Sequence, residues 1–149
     1  MVDLRLLLIS PTPTPTPTPP TPTVSVATLV KKVWSASSVQ WDGVTKYDKS
    51  STSNVVQGYS QYKLDLSTAG SVTLTEFDGK IFTGTYTVAT DGNSLTLSGL
   101  TSAEGAPTGT GGTIIYSILS TPTATGLSLQ QSTAYVKASS AIVKLALVN

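Results

Sequence analysis

Apolar and polar residues alternate in short segments along most of the chain from Val24 onwards. In YSQYKLDL, for example, Tyr62, Leu64 and Leu66 fall on one face of an extended segment and Lys63 falls on the other. A period of two residues is typical of a β-strand with one buried face. Similar segments recur at roughly ten-residue spacing, which indicates an antiparallel β protein.

Glycine-containing turns separate these segments. Asp42-Gly43 lies between SVQW and VTKY, and Asp78-Gly79 precedes another alternating run. Such pairs favour the tight turns that join antiparallel strands. The sequence therefore predicts an all-β domain over residues 24–149, an antiparallel meander of about eight strands that forms a barrel or a sandwich. A short helix or irregular entry is expected first, followed by a strand from about Val33 to Trp41.

A proline-rich stretch separates a second alternating segment, residues 1–10, from this domain. Residues 11–23 carry Pro at nearly every second position, which excludes helix and sheet pairing and favours polyproline II. At about 3.1 Å per residue, this rigid Pro-Thr linker spans roughly 40 Å. The segment before it is predicted to be an N-terminal strand or anchor with Val2, Leu4, Leu6 and Leu8 on one face.

A strand held away from its own domain has two interpretations. It is a frayed leader on a surface linker, or it is donated to the sheet of a neighbouring subunit. In the second case main-chain hydrogen bonds supply affinity, and the apolar side chains fill a groove. We prefer strand donation because it explains why an alternating apolar segment lies beyond a stiff linker.

The first ten residues, MVDLRLLLIS, do not fit a secretory signal, because Asp3 and Arg5 interrupt the apolar run. If Met1 is the natural start, standard secretion is not expected; if the chain is a mature fragment, a signal has been removed. Apolar runs throughout the sequence are too short for a transmembrane helix, so membrane insertion is not expected.

Composition excludes several kinds of site. Charged residues make up 11 % of the chain and the net charge is +1, which gives no basic surface for nucleic acid. The sequence contains neither Cys nor His, which removes thiol and imidazole chemistry and the usual zinc sites. No cofactor, metal or nucleic-acid partner is therefore expected.

The carboxylates do not form a catalytic pattern in the sequence. Glu76 and Asp78 flank a predicted hairpin and could face Asp65 on the preceding strand, and paired carboxylates serve glycoside hydrolysis. Charged side chains on strands are ordinarily exposed, however, and nothing places a substrate between these three. Asp42 and Asp91 precede Gly in turns, where Asp caps the backbone. We therefore expect a protein that is not an enzyme.

Two further groups of residues are candidates for a role. Four aromatic residues on predicted strands either belong to the core or line a ligand cavity: Trp34, Trp41, Phe82 and Tyr86. The threonines that alternate with proline would suit O-glycosylation in an extracellular setting: Thr12, Thr14, Thr16, Thr18, Thr21 and Thr23.

The stretches LVKKVWSASSVQWDGVTKYD and YKLDLSTAGSVTLTEFDGKIFTGTYTVATDGNSLTLSG resemble the lipocalin-like domains of Bacteroidota surface lipoproteins, over about residues 29–148. Trp34 matches the family's opening Trp, Gly84-Thr85-Tyr86 its middle element and Asn93–Leu97 a later one. The chain has Lys32-Val33-Trp34 in place of Gly-x-Trp and lacks the lipid-bearing Cys. The resemblance implies an eight-stranded barrel, and it implies no particular ligand.

These observations lead to three functional hypotheses. The first is a non-enzymatic structural subunit that donates its N-terminal strand to a copy of itself or to a neighbouring structural subunit, in a cell-surface filament or on a virion surface. The alternative is a tethered, lipocalin-like module that binds a small apolar ligand. The third is a glycan-binding adhesin. We expect an extracellular or cell-surface location, with the virion surface as second choice.

Overall fold

The alternating segments form nine antiparallel strands in the part of the chain that the computed structural model describes, residues 8–20 and 23–149. Several of these strands match segments in which the buried residues recur at every second position. The strands are β1 (Val33–Trp41), β2 (Val44–Asp48), β3 (Lys63–Asp65), β4 (Ser71–Thr75), β5 (Ile81–Val88), β6 (Ser94–Thr101), β7 (Ile114–Ile118), β8 (Gly126–Gln131) and β9 (Val143–Val148).

The sheet closes into a barrel because its first and last strands pair with each other. Residues Ser35 to Trp41 of β1 lie antiparallel to β9, with Ser35 opposite Val148 and Trp41 opposite Val143. Eight of the nine strands described form this ring, in the order β1-β3-β4-β5-β6-β7-β8-β9. The predicted all-β fold is confirmed, and the alternative left open between barrel and sandwich is decided in favour of the barrel.

On the edge that does not face β9, strand β1 pairs with two different strands. Its beginning, Val33 to Ser35, pairs with β3, whereas Ser38 to Trp41 pair with β2. Irregular register within β1 lets the strand bend between these partners. Strand β2 is therefore an addition outside the ring, held in a hairpin whose turn, Asp42-Gly43, has positive φ at both residues.

The two ends of the barrel differ in what closes them. At the end where β1 begins, here called the lower end, the short helix α1 (Val26–Leu29) packs Val26 against the core, and Val30, just after the helix, is buried. Trp34 is fully buried there, and its indole N–H donates to the Val30 carbonyl over 2.8 Å. The opposite end, here called the upper end, carries the β4–β5 turn and the long connections before β7 and β9.

Side chains from every strand of the ring fill the interior. Leu64, Leu74, Leu95 and Leu129 have no solvent exposure, and they belong to one continuous hydrophobic cluster. Two short 3-10 helices, Gln57–Gln61 and Val136–Ala138, contribute Tyr59 and Ala138 to it. These two helices lie in the connections that reach the upper end.

The N-terminal part of the chain is described from residue 8 to residue 20. These residues form no strand or helix, and all of them are exposed. Leu8 and Ile9 are 89 % and 83 % exposed. Most of the predicted N-terminal strand, including Val2, Leu4 and Leu6, lies outside the described residues, and the polyproline II conformation of the linker stays a prediction.

Candidate functional site

The four aromatic candidates lie on or against the core. Trp34, Phe82 and Tyr86 are buried in the hydrophobic cluster, and Trp41 is half-buried against it. The Tyr86 hydroxyl donates to the Leu66 carbonyl over 3.0 Å. The Trp41 indole N–H donates to the Tyr59 hydroxyl over 2.9 Å. Their hydrogen bonds are thus made within the protein, and the geometry assigns these side chains to packing.

Five of the six candidate threonines of the linker lie in the part of the chain that the structure describes. Thr21 lies outside the described residues, and the others are exposed: Thr12, Thr14, Thr16, Thr18 and Thr23.

One expectation about the carboxylates is wrong. Glu76 is only 2 % exposed, although strand charges were expected to face solvent. Asp65 does not join it, because its carboxylate accepts hydrogen bonds from the Ser67 hydroxyl and backbone N–H. Those bonds lower the pKa of Asp65. Asp78 and Asp91 accept backbone N–H groups two residues ahead in their turns.

Glu76 is instead the centre of a buried polar cluster at the upper end. The Tyr135 hydroxyl donates to Glu76 Oε1, and Lys137 Nζ donates to Glu76 Oε2. Lys137 Nζ also lies 2.8 Å from Asp78 Oδ2. The side chains of Glu76 and Lys137 are 3 % and 10 % exposed, whereas that of Asp78 is 31 % exposed. One amine therefore contacts two carboxylates, one buried and one within reach of solvent.

Local structure explains how these four residues meet. Glu76 and Asp78 lie in the turn between β4 and β5, and the Glu76 and Gly79 backbones hydrogen-bond across that turn. Tyr135 and Lys137 lie in the connection between β8 and β9. Within that connection, Tyr135 and Ala141 form an isolated antiparallel bridge. Both connections belong to the upper end, so the barrel brings together residues that are 61 positions apart.

Aromatic rings surround the charged groups. Lys137 Nζ lies 5.2 Å from the centre of the Phe82 ring and 5.9 Å from that of Phe77, within the range of cation–π attraction. Behind Glu76, the rings of Tyr59, Tyr62 and Tyr116 line the same small cavity. The charges are thus shielded from water on most sides, which strengthens their mutual attraction and removes much of their hydration.

The tyrosines behind Glu76 are held in their neutral form. Burial raises the pKa of Tyr116 to about 12 and raises that of Tyr62 well above its ordinary value. The pKa of Tyr135 is also raised, first by burial and then by the negative charge of Glu76. Burial penalises the charged phenolate, so each of these hydroxyls keeps its proton, and that of Tyr135 donates it to Glu76.

The cavity behind Glu76 has room for about one water molecule, with a volume of about 10 Å³. Two polar atoms in this region, the Tyr62 hydroxyl and Gln131 Oε1, are buried without a hydrogen-bond partner. Gln131 and Tyr135 also line an outer groove of about 90 Å³, which lies next to the inner cavity.

Sequence reasoning missed this cluster, although one signal was present. In SVTLTEF, Val72, Leu74 and Glu76 are spaced two residues apart and so fall on the same face of an extended strand, and the first two are core residues. The two-residue alternation alone therefore predicts that Glu76 faces the interior. Lys137 follows no such pattern, because its segment is a 3-10 helix in a connection.

The described residues do not gather three or more acidic side chains in a way that could hold a metal ion. Within residues 8–20 and 23–149, no helix is long and apolar enough to cross a membrane. Comparison with protein-family models, with curated proteins and with solved structures found no match to this chain. The resemblance to lipocalin-like lipoprotein domains therefore stays a prediction.

Proposed function

We propose that this protein is a non-enzymatic structural subunit that attaches to a neighbouring subunit through its N-terminal segment and carries a β-barrel on a Pro-Thr linker. The observation that supports this best is that residues 8–20 are all exposed. Leu8 and Ile9 are among them, so their side chains are not buried against the barrel. Two large apolar side chains at 89 % and 83 % exposure are unfavourable in water. They become favourable when a partner covers them.

The barrel is complete without the leader. The strands of the ring are paired on both edges, and Val30 and Trp34 are fully buried at the lower end. The strands between residues 33 and 148 therefore complete the ring by themselves. A segment that the domain does not need is free to serve an intermolecular contact.

Closure of the ring also bears on which partner receives the segment. Strand addition requires an unpaired sheet edge, and in the described residues the edge strand outside the ring is β2. Its outward groups are partly occupied, because Val56 N–H donates to the Lys46 carbonyl and Asn54 bonds both backbone groups of Asp48. A copy of this chain is thus a poor acceptor, and we favour a different structural subunit at a cell surface or on a virion.

Binding of a small apolar ligand inside the barrel is less favoured. The cavity at the upper end holds about 10 Å³, whereas pockets for small molecules commonly measure about 300–1,000 Å³. Interior side chains would have to move before such a ligand entered. The glycan-binding hypothesis has no added support, since Trp34, Phe82 and Tyr86 are buried.

The experiment compares the full chain with a variant lacking residues 2–10 and with Leu6→Asp. Each is incubated with an extract of the surface structures of the source cells or particles, and the assembled fraction is measured by sedimentation and light scattering. We expect the full chain to enter the assembly and both variants to stay monomeric with an unchanged circular dichroism spectrum, since the strands of residues 33–148 close the ring by themselves. Asp3→Leu is the matched control, because it keeps the apolar face intact.

Deleting two Pro-Thr pairs provides a second measurement. A rigid linker shortened by four residues moves the barrel closer to its attachment point by about 12 Å, at about 3.1 Å per residue. Electron microscopy of the assembly measures that spacing. Equal incorporation of the full chain and both leader variants would refute the proposal, and the linker would then be a simple tether.

A further inference from the structure

We infer that Lys137 and Glu76 join in an intramolecular isopeptide bond between the β4–β5 turn and the connection before β9. The inference rests on the geometry of the buried polar cluster and does not depend on the proposed role of the leader. It would make the upper end of the barrel covalently closed in a chain that has no cysteine for a disulfide.

The reacting atoms are in contact. Lys137 Nζ touches the carboxylate of Glu76, and both side chains are at least nine-tenths buried. The amine and the carboxylate are held against each other in a site from which the surrounding aromatic rings exclude most water. Moving one proton from Lys137 to Glu76 Oε2 produces a nucleophilic amine beside a carboxylic acid, the pair that amide formation requires.

The neighbours supply the other functions of the reaction. The Tyr135 hydroxyl donates to Glu76 Oε1, where negative charge develops when the amine attacks the carboxyl carbon. Asp78 Oδ2, 2.8 Å from Lys137 Nζ, is placed to take a proton from the attacking nitrogen and return it to the departing oxygen. Its 31 % exposure leaves a route for water to escape.

The steps balance without any further reactant. The Nζ–Cδ bond forms and a second proton passes from Nζ to Asp78. The Cδ–Oε2 bond then breaks as Asp78 delivers that proton, and Oε2 leaves as water. The ammonium and carboxylate become one neutral amide and one water, with no change in oxidation state. The walls formed by Phe77 and Phe82 limit access of the water that would favour the reverse reaction.

The test is the intact mass of the folded full chain, measured after denaturation. We expect a mass lower than that of the sequence, with or without Met1, by one water molecule. Because the sequence has no Lys or Arg between Lys80 and Lys137, trypsin should release residues 64–80 attached to residues 81–144. An ion pair alone gives the full sequence mass and separate peptides, and that result would overturn the inference.

Variants separate the bond from other losses of water. Lys137→Arg and Glu76→Ala should restore the full mass, and Asp78→Asn should slow the appearance of the deficit after refolding. Lys80→Arg is the matched control, because Lys80 forms an exposed ion pair with Glu104 at the same end of the barrel. Cyclisation at an Asp-Gly pair would also lose water, but within one peptide and equally in Lys137→Arg, and finding this instead would refute the isopeptide bond.

Discussion

At the scale of single residues, Glu76 shows how position in a strand prevails over chemical type. The alternation that buries Val72 and Leu74 also carries Glu76 inwards. A buried carboxylate is tolerated only with partners, and here Tyr135 and Lys137 provide them. The turn that follows β4 therefore has its position fixed by a polar contact to the connection before β9 as well as by apolar packing.

Removing the Tyr135 hydroxyl tests the importance of those partners. We expect Tyr135→Phe to lower the free energy of unfolding by about 1–3 kcal/mol, because a buried Glu76 oxygen loses its donor. Tyr86→Phe is the matched control: its hydroxyl bonds the Leu66 carbonyl, and the expected loss is about 0.5–1.5 kcal/mol. Urea titration followed by tryptophan fluorescence measures both. An equal or smaller loss in Tyr135→Phe would contradict this description of the cluster.

At the scale of elements, the strands could be predicted from the sequence, and the connections largely could not. The Asp42-Gly43 hairpin and the strand from Val33 to Trp41 follow from turn chemistry and parity, both of which are local. The 3-10 helix that carries Lys137 has no comparable period. A site assembled from a turn and an irregular connection therefore gives little advance signal, even when its individual residues are conspicuous.

Strand β2 is the element most exposed to unwanted pairing, and Asn54 protects it. The Asn54 side chain accepts from Asp48 N–H over 2.9 Å and donates to the Asp48 carbonyl over 3.1 Å, as a neighbouring strand would. An unprotected edge recruits other chains. The loop after β2 thus acts as a substitute strand along part of this edge.

We expect Asn54→Ala to speed hydrogen exchange at the Asp48 amide and to promote concentration-dependent association. The physical reason is that both backbone groups of Asp48 become available to another chain. Exchange mass spectrometry and analytical ultracentrifugation measure the two effects. Thr52→Ala, an exposed change in the same loop, should alter neither. Unchanged exchange at the Asp48 backbone amide in Asn54→Ala would show that the Asn54 side chain does not protect the edge.

At the scale of the whole molecule, the choice between barrel and sandwich lies beyond local pattern. Both architectures alternate inward and outward residues in the same way. The deciding contact is the pairing of β1 with β9, between residues more than 100 positions apart. The closed barrel buries four tyrosines around the cavity at its upper end. Because their burial raises the pKa of the hydroxyl groups, ionisation of these tyrosines is coupled to unfolding.

We expect stability to fall as the pH rises above about 10, the ordinary pKa of tyrosine. The pKa of Tyr116 is raised to about 12 in the fold, so between these values the unfolded chain loses a proton that the folded chain keeps. Stability contributed by Tyr116 is complete below pH 10 and is lost as the pH rises through 12, by about 3 kcal/mol in total. Tyr62 and Tyr135, whose pKa values are also raised, act in the same direction.

Circular dichroism and tyrosinate absorbance, recorded together across this range, measure the effect. Unfolding and tyrosine ionisation should occur in one cooperative step, and Tyr116→Phe should show a shallower decline of stability with pH. Tyrosines that titrate near pH 10 in a barrel that remains folded would refute the expectation.

The pairing of β1 with β9 has a mechanical consequence. Ser35, just after the start of β1, lies opposite Val148 at the end of β9, so the strand that follows the linker and the strand that ends the sequence meet at the lower end. A pulling force applied at these two points would separate β1 from β9 starting at the lower end. It would break the hydrogen bonds between these two strands one after another. A force applied through the linker alone would not load these hydrogen bonds, because it would act on only one of the two strands.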